Sequence, residues 1–148
     1  DTRNGPTMIR SRVGLERQCD YNVSATDHIR PRMFRGVDMI FVDECQFLTV
    51  DQVNELRYLG VPVYCYGLKT DYRTKLFPAS ARLLEVADSI HEIKTICSTE
   101  QCKRRATITA KLGPDGTVIL DGATEPDIGD LDKYAVFCWH CYDTQETT

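Results

Sequence analysis

The sequence predicts an α/β fold in which a parallel-sheet core is followed by a small β-rich region that binds a metal. An apolar run at 37–42, a capped helix and a second apolar run at 61–68 follow one another along the chain. Strand, helix and strand in this order form a βαβ unit, in which the two strands are parallel. Beyond residue 97, apolar and polar residues alternate instead, and two pairs of cysteines flank this region. Such alternation is typical of half-buried strands.

The elements of the first region follow from these runs. Both runs are almost entirely apolar, so we expect strands that are buried on both faces of a sheet. Thr49 and Gln52 form the pattern of a capping box, which begins a helix that we expect to reach Leu59 and to stop at Gly60. A second helix is predicted over 80–90 from its apolar stripe. Residues 1–35 are polar, and we expect mostly loop there.

The second region is predicted to consist mainly of strands. We expect strands at 91–96, 106–112, 118–120 and 134–137, with a turn at 113–116 and a loop at 121–133. The domain prediction is therefore an α/β core at 1–94 and a metal-bearing domain at 95–148.

The composition argues against several classes of protein. The 148 residues carry 18 Lys and Arg against 22 Asp and Glu, which gives a net charge of −4. An acidic chain lacks the basic face with which proteins neutralise nucleic-acid phosphates. No apolar run approaches the ~20 residues that cross a bilayer, and the chain, which opens with Asp1, shows no signal peptide. We therefore expect a cytoplasmic protein that binds neither nucleic acid nor a membrane.

Four of the seven cysteines form two close pairs, Cys97 with Cys102 and Cys138 with Cys141. The spacings C-x4-C and C-x2-C suit a tetrahedral zinc site, and such pairs in an unsecreted chain favour a metal over disulfides. Four thiolates close the coordination shell, so the zinc is expected to be structural. His140, inside the second pair, is a spare candidate ligand. The alternative is a set of structural thiols without a metal.

An acidic pair, Asp43 and Glu44, follows the first predicted strand. Ligands of an open parallel sheet gather at the carboxyl ends of its strands, and an acidic residue there is the Walker-B arrangement that holds Mg²⁺ near phosphates. The neighbouring Glu44 is placed to accept a proton from an attacking hydroxyl. The alternative is an acidic pair that only terminates the strand, and spacing alone leaves both interpretations open.

The order of these segments resembles the thymidine kinases of the zinc-containing type found in cells, in bacteria and in their viruses. The resemblance rests on Asp43-Glu44-Cys45-Gln46-Phe47-Leu48, on Tyr66-Gly67-Leu68-x-Thr70-Asp71-Tyr72-Arg73 and on Cys138-x-x-Cys141, and it reaches back to Asp1-Thr2-Arg3. The fold that it implies is a P-loop-type parallel sheet core, incomplete at its N-terminus, with a small zinc-binding lasso domain.

The resemblance implies transfer of the γ-phosphoryl group of ATP to the 5′-hydroxyl of thymidine or deoxyuridine. In this family pattern Glu44 is the catalytic base, Asp43 is the acid associated with Mg²⁺, and Asp1 and Arg3 lie near the phosphates. The residues implied for thymine binding are Phe47, Leu68, Tyr72, Asp127, Ile128, Gly129 and Tyr134. The zinc is implied to anchor the lasso at 127–129. Family members are commonly homotetramers that thymidine triphosphate inhibits, and we expect both properties here.

Two departures from the family pattern lead to further expectations. The first cysteine pair is wider than usual, which predicts a looser turn or the replacement of one ligand. The sequence contains no G-x-x-x-x-G-K-[ST] phosphate loop, so we expect the 148 residues on their own to have negligible kinase activity. The alternative function is a catalytically inactive, truncated relative that binds nucleosides or a protein partner. A zinc module for nucleic acid is a weaker alternative because the chain is acidic.

Overall fold

A computed structural model describes residues 8–10, 14–120 and 134–144. The protein is of mixed α/β type with small sheets, and its contacts divide it into two compact units. The first unit contains the described residues up to Lys69 together with Phe77–Val86, and the second contains Thr70–Leu76 and the described residues from Ala87 onward. The domain boundary at 94/95 stays a prediction.

The first unit begins with a β-hairpin, in which β1 (Met8–Arg10) pairs antiparallel with β2 (Glu16–Gln18). This hairpin corrects the expectation that residues 1–35 are mostly loop. All three residues of β2 are exposed. Because no apolar alternation marks a strand whose side chains all face water, the sequence pattern does not reveal it.

The βαβ unit is confirmed. Strand β3 (Ile40–Val42) leads into α1 (Val50–Leu56) and then into β4 (Val63–Cys65), and the two strands pair parallel with Val42 opposite Cys65. Both strands are shorter than the apolar runs that predicted them. The capping box is also confirmed, since the Thr49 hydroxyl accepts the Gln52 N–H at 3.1 Å and the Gln52 side chain accepts the Thr49 N–H at 2.9 Å.

The prediction that these strands are buried on both faces is wrong. On one face, Ile40, Val42, Val63 and Cys65 pack against the core formed by Ile29, Leu56 and Leu59. On the other face, Phe41 is 62% exposed and Tyr64 is 48% exposed, and their rings stack at 5.3 Å. Within the described residues β3 and β4 pair only with each other, so an unbroken apolar run here reflects exposed aromatic rings as well as core.

The two helices of the first unit are shorter than predicted. Helix α1 ends at Leu56, and turns continue the chain to Gly60, whose φ of 75° suits a glycine stop. Helix α2 (Pro78–Val86) begins at a proline, whose fixed φ favours the first helical position, and it ends four residues before the predicted 90. The Arg82 guanidinium donates to the Asn54 side chain at 2.7 Å and so links α2 to α1.

The second unit is built from five strands and a helix. The pair β5 (Thr95–Ile96) and β6 (Arg105–Ala106) is antiparallel, and β7 (Ile108–Leu112) lies between β8 (Val118–Ile119) and β9 (Tyr134–Phe137) in a three-stranded sheet. The chain then forms α3 (Trp139–Thr144), which the sequence analysis did not predict. The turn at 113–116 is confirmed, while the predicted loop at 121–133 lies outside the described residues. Among the helices described, none has the length and apolar character needed to cross a membrane.

Candidate active site and metal centre

The acidic pair lies where β3 ends. Asp43 is exposed, and its Oδ1 accepts the backbone N–H of Glu44 at 3.0 Å. Glu44 is half-buried and has a left-handed backbone, with φ 53° and ψ 40°. This conformation costs a residue with a side chain about 1 kcal/mol or more. The chain therefore reverses sharply after β3 and enters a 3-10 turn over Cys45–Phe47.

A buried glutamine connects this turn to the end of β4. The Gln46 amide nitrogen donates to Glu44 Oε2 at 2.6 Å, and its oxygen accepts the Leu68 N–H at 3.0 Å. Backbone bonds run in parallel with it, from Cys45 N–H to the Tyr66 carbonyl at 2.9 Å and from Tyr66 N–H to the Val42 carbonyl at 2.8 Å. Glu44 is thus held at the carboxyl ends of two parallel strands.

Phe47 and Leu68, two of the residues implied for thymine binding, belong to the same strand ends. Both side chains are exposed, and the Phe47 ring packs edge-to-face on Phe77 with ring centroids 5.9 Å apart. The Ser80 hydroxyl donates to the Leu68 carbonyl at 2.7 Å. Helix α2 therefore supports the segment that carries Leu68, while the leucine side chain itself faces water.

In the second unit, Tyr72 lies on a tight loop that Asp71 organises. Asp71 Oδ1 accepts the backbone N–H groups of Arg73 and Lys75, each at 2.9 Å, and Oδ2 accepts the Arg73 guanidinium at 2.8 Å. Burial opposes the charged form, but these donors outweigh it and lower the pKa of Asp71 below its usual value of 3.8. The loop is thereby fixed around its aromatic residue.

Tyr72 and Tyr134 are both neighbours of Lys111. Tyr134 begins β9 and is paired in register with Lys111 on β7. The Lys111 ammonium lies 5.8 Å from the centroid of the Tyr72 ring, within the range of a cation–π contact. The Tyr142 hydroxyl also donates to the Tyr72 carbonyl at 3.2 Å. The second unit therefore gathers these two implied thymine-binding residues around one strand.

The four predicted metal ligands form one cluster. The sulfur atoms of Cys97, Cys102, Cys138 and Cys141 all lie within 4.8 Å of one another, and Cys102 and Cys138 are 4.0 Å apart. Four thiolates around one zinc ion lie about 3.8 Å apart, given a Zn–S distance of about 2.3 Å. The donor set thus fits a tetrahedral, thiolate-binding metal after a contraction of about 1 Å.

The wide first pair is accommodated by a looser turn. Gln101 has a left-handed φ of 62°, and the Cys102 N–H bonds to the Thr99 carbonyl at 3.1 Å. All four cysteines converge, so no cysteine is replaced, and His140 is exposed and does not belong to the cluster. The sequence analysis left this point open.

One cysteine of the cluster is prepared for the thiolate form. Burial opposes ionisation of Cys97, but the Cys138 N–H at 3.3 Å and the Thr99 hydroxyl at 3.6 Å outweigh it. Together they lower the pKa of Cys97 to about 6. Because metals bind the thiolate rather than the thiol, this environment favours metal binding at neutral pH.

Comparison with known proteins identifies the family. The family model described as Thymidine kinase matches residues 1–142. A thymidine kinase of Jannaschia sp. (strain CCS1) is 40% identical over 146 residues, which cover 93% of this chain and 73% of the relative. One of Rhizobium meliloti (strain 1021) is 39% identical over 154 residues, covering 97% and 76%, and one of Photobacterium profundum is 38% identical over 146 residues, covering 93% and 74%. The chain belongs to the thymidine kinase family.

In this member of the thymidine kinase family, some implied site residues fall on parts of the chain that the structure does not describe. The residues outside the described ranges are Asp1, Arg3, Asp127, Ile128 and Gly129. Their roles stay predictions, as do those of the acidic pair and the tyrosines.

Three residues that the sequence analysis gave no role take part in building these sites. Gln46 holds Glu44, Asp71 organises the Tyr72 loop, and Lys111 adjoins both tyrosines. Gln46 and Asp71 lie inside the segments that resemble thymidine kinase, which was the only available signal. Lys111 carries no local signal, because its partners come from distant parts of the chain.

Proposed function

We propose that this protein is a thymidine kinase that transfers the γ-phosphoryl group of ATP to the 5′-hydroxyl of thymidine or deoxyuridine. Membership in the thymidine kinase family supports the activity. The observation that carries the mechanism is Glu44, which lies at the end of a parallel strand and is held there by a hydrogen bond from a buried glutamine. The P-loop-type core that the family resemblance implies is part of this proposal.

Glu44 acts as the general base. The 5′-hydroxyl oxygen forms a bond to the γ-phosphorus, the bond from that phosphorus to the bridging oxygen breaks, and ADP leaves. Glu44 accepts the hydroxyl proton during this step. A half-buried carboxylate with one oxygen already bonded keeps its orientation, as a base must if it is to receive a proton over a short distance.

Asp43 would hold the Mg²⁺ that accompanies ATP. Its carboxylate is exposed and oriented by the Glu44 N–H, and hard carboxylate oxygens suit Mg²⁺. The ion would neutralise charge that develops on the phosphates. Asp1 and Arg3 are proposed to contact the same phosphates.

Thymine is proposed to be bound by side chains and by backbone. Phe47 and Leu68 offer exposed apolar surface, and Tyr72 and Tyr134 offer aromatic rings. The backbone at Asp127, Ile128 and Gly129 is proposed to bind the edge of the base. The four-cysteine cluster is proposed to hold a structural zinc ion that ties 97–102 to 138–141. A homotetramer and inhibition by thymidine triphosphate, both implied by the resemblance, belong to the same proposal.

The test compares the 148-residue chain with the same chain preceded by the family's phosphate-loop segment, here called the fusion enzyme. Each is incubated with ATP, Mg²⁺ and radiolabelled thymidine, and the thymidine monophosphate formed is measured. We expect product from the fusion enzyme. A fusion enzyme that binds thymidine in calorimetry without phosphorylating it would support the alternative, a nucleoside-binding module.

Glu44→Gln in the fusion enzyme tests the base. Glutamine keeps the size of the side chain and cannot accept the proton, so we expect kcat to fall about 100-fold or more. The KM for thymidine is expected to change less than about threefold, because ground-state binding is retained. Equal losses in kcat and in thymidine affinity would assign Glu44 a structural role.

A further inference from the structure

Gln46 is a polar side chain in an almost closed environment. It is 3% exposed, and both ends of its amide are used. The Leu68 N–H can only donate, so the amide oxygen must face it, and the NH₂ group must therefore face Glu44. The second contact, at 2.6 Å, is a short hydrogen bond from a neutral donor to a carboxylate, which is the stronger kind.

The backbone at the end of β4 keeps Gln46 in place. A Cβ atom added at Gly67 would overlap the Gln46 amide oxygen and would lie 2.7 Å from the Cys45 sulfur. Gly67 thus approaches the glutamine more closely than any residue with a side chain could. The Gln46 amide has little room to rotate, and its NH₂ group points to one place only.

We infer that Gln46 is a positioning residue for phosphoryl transfer: its NH₂ group fixes the Glu44 carboxylate, and its oxygen ties that carboxylate to the main chain of Leu68. The inference rests on the proposed role of Glu44 as base. The same amide joins the base to a segment proposed to bind thymine, so the carboxylate and the nucleoside share one reference point. Gln46 acts through Glu44 and does not itself touch the reacting atoms.

The first unit contains a matched control in Gln52. This glutamine is 2% exposed, and its amide nitrogen donates to the carbonyls of Ser24 and Asp27 at 2.7 and 2.9 Å. Its oxygen accepts the Thr49 N–H at 2.9 Å. Gln52 has the same side chain and nearly the same burial as Gln46, but all these partners are main-chain groups, so its amide serves the fold alone.

The deciding experiment is a double-mutant cycle in the fusion enzyme. Gln46→Met keeps the volume and removes both hydrogen bonds. We expect kcat to fall about 10- to 100-fold, as when a catalytic group is displaced by about an ångström. In the Glu44→Gln background the same substitution is expected to change kcat less than about twofold, because its partner has already been disabled. Gln52→Met is expected to lower the melting temperature and to leave kcat per folded enzyme unchanged.

A second variant keeps the inference testable if Gln46→Met does not fold. Gln46→Glu retains an oxygen for the Leu68 N–H and places a carboxyl group against Glu44. One shared proton restores the contact at low pH, so the loss of kcat is expected to deepen as pH rises, with the KM for thymidine nearly constant. A loss independent of pH, or losses in the cycle that add fully, would assign Gln46 a merely structural role.

The outcomes separate the two proposals. If the fusion enzyme is inactive, or if Glu44→Gln leaves kcat unchanged, the proposed function or its base is wrong. If Glu44→Gln abolishes turnover while the Gln46 variants keep full kcat, the proposed function stands and the inference about Gln46 is overturned.

Discussion

At the scale of single residues, the candidate site depends on a backbone conformation that the sequence does not show. Glu44 lies in the left-handed region, which glutamate rarely adopts, and the next residue bonds at once to the end of β4. An apolar strand followed by Asp-Glu was enough to place an acidic pair at a strand end. It did not reveal the buried glutamine, because a polar residue in a local pattern predicts exposure and the Leu68 partner is 22 residues away.

Cys45 gives a prediction at the same scale. A hydrogen bond shared with Cys65, together with burial, raises the pKa of the Cys45 thiol above its usual range. Only the thiolate reacts with iodoacetamide, so at about pH 8 we expect Cys45 to be labelled at least about tenfold more slowly than the half-buried Cys19. Peptide mass spectrometry over a time course measures both rates, and labelling in about 6 M guanidinium, roughly enough to unfold an ordinary domain, should equalise them. Equal rates in the folded protein would contradict the prediction.

At the scale of elements, local signals located the helices and strands better than they located the ends. The capping box fixed the start of α1 because its partners are three residues apart. The end of α2 was placed too late because Ile90 continues the apolar stripe, yet it is exposed and has no core to face. The metal-bearing helix α3 was missed because the cluster geometry, more than any apolar period, shapes the chain around Cys138 and Cys141.

The loop Thr70–Leu76 carries the prediction for this scale. Asp71 accepts three donors there, so Asp71→Asn is expected to lower the free energy of unfolding by about 1–2 kcal/mol at about pH 7, and to raise the KM for thymidine through Tyr72. The folded-state pKa of Asp71 is lowered, so its contribution is present above the unfolded value of 3.8 and is lost as pH falls through the folded-state pKa. The difference between variant and wild type should therefore shrink in urea unfolding below about pH 3.8. Asp88→Asn, at an exposed aspartate, is the control and should change neither quantity.

At the scale of the whole molecule, the cysteine spacing predicted the longest-range feature of the second unit correctly. Two pairs about forty residues apart in sequence meet in one cluster. Tetrahedral thiolate chemistry demands this whatever the intervening chain does, which is why a spacing rule succeeds where periodicity fails. The parallel pairing of β3 and β4 was predictable for a similar reason, since the handedness of a βαβ unit leaves few alternatives.

Zinc content and zinc removal test this level of organisation. We expect about one zinc ion per chain by mass spectrometry with inductively coupled plasma, because four sulfur atoms within 4.8 Å form one site. Metal binding is coupled to folding, so chelation at neutral pH should remove hydrogen-exchange protection from β7 and β9 by about tenfold or more. The βαβ unit, whose core of Ile29, Leu56 and Leu59 contains no ligand, should keep its protection. Cys102→Ser is expected to reproduce the effect of the chelator, whereas Cys19→Ser, outside the cluster, should bind zinc normally. A chain purified under reducing conditions without any metal, or a chelator that leaves β7 and β9 protected, would show that the four thiols hold the second unit together without an ion.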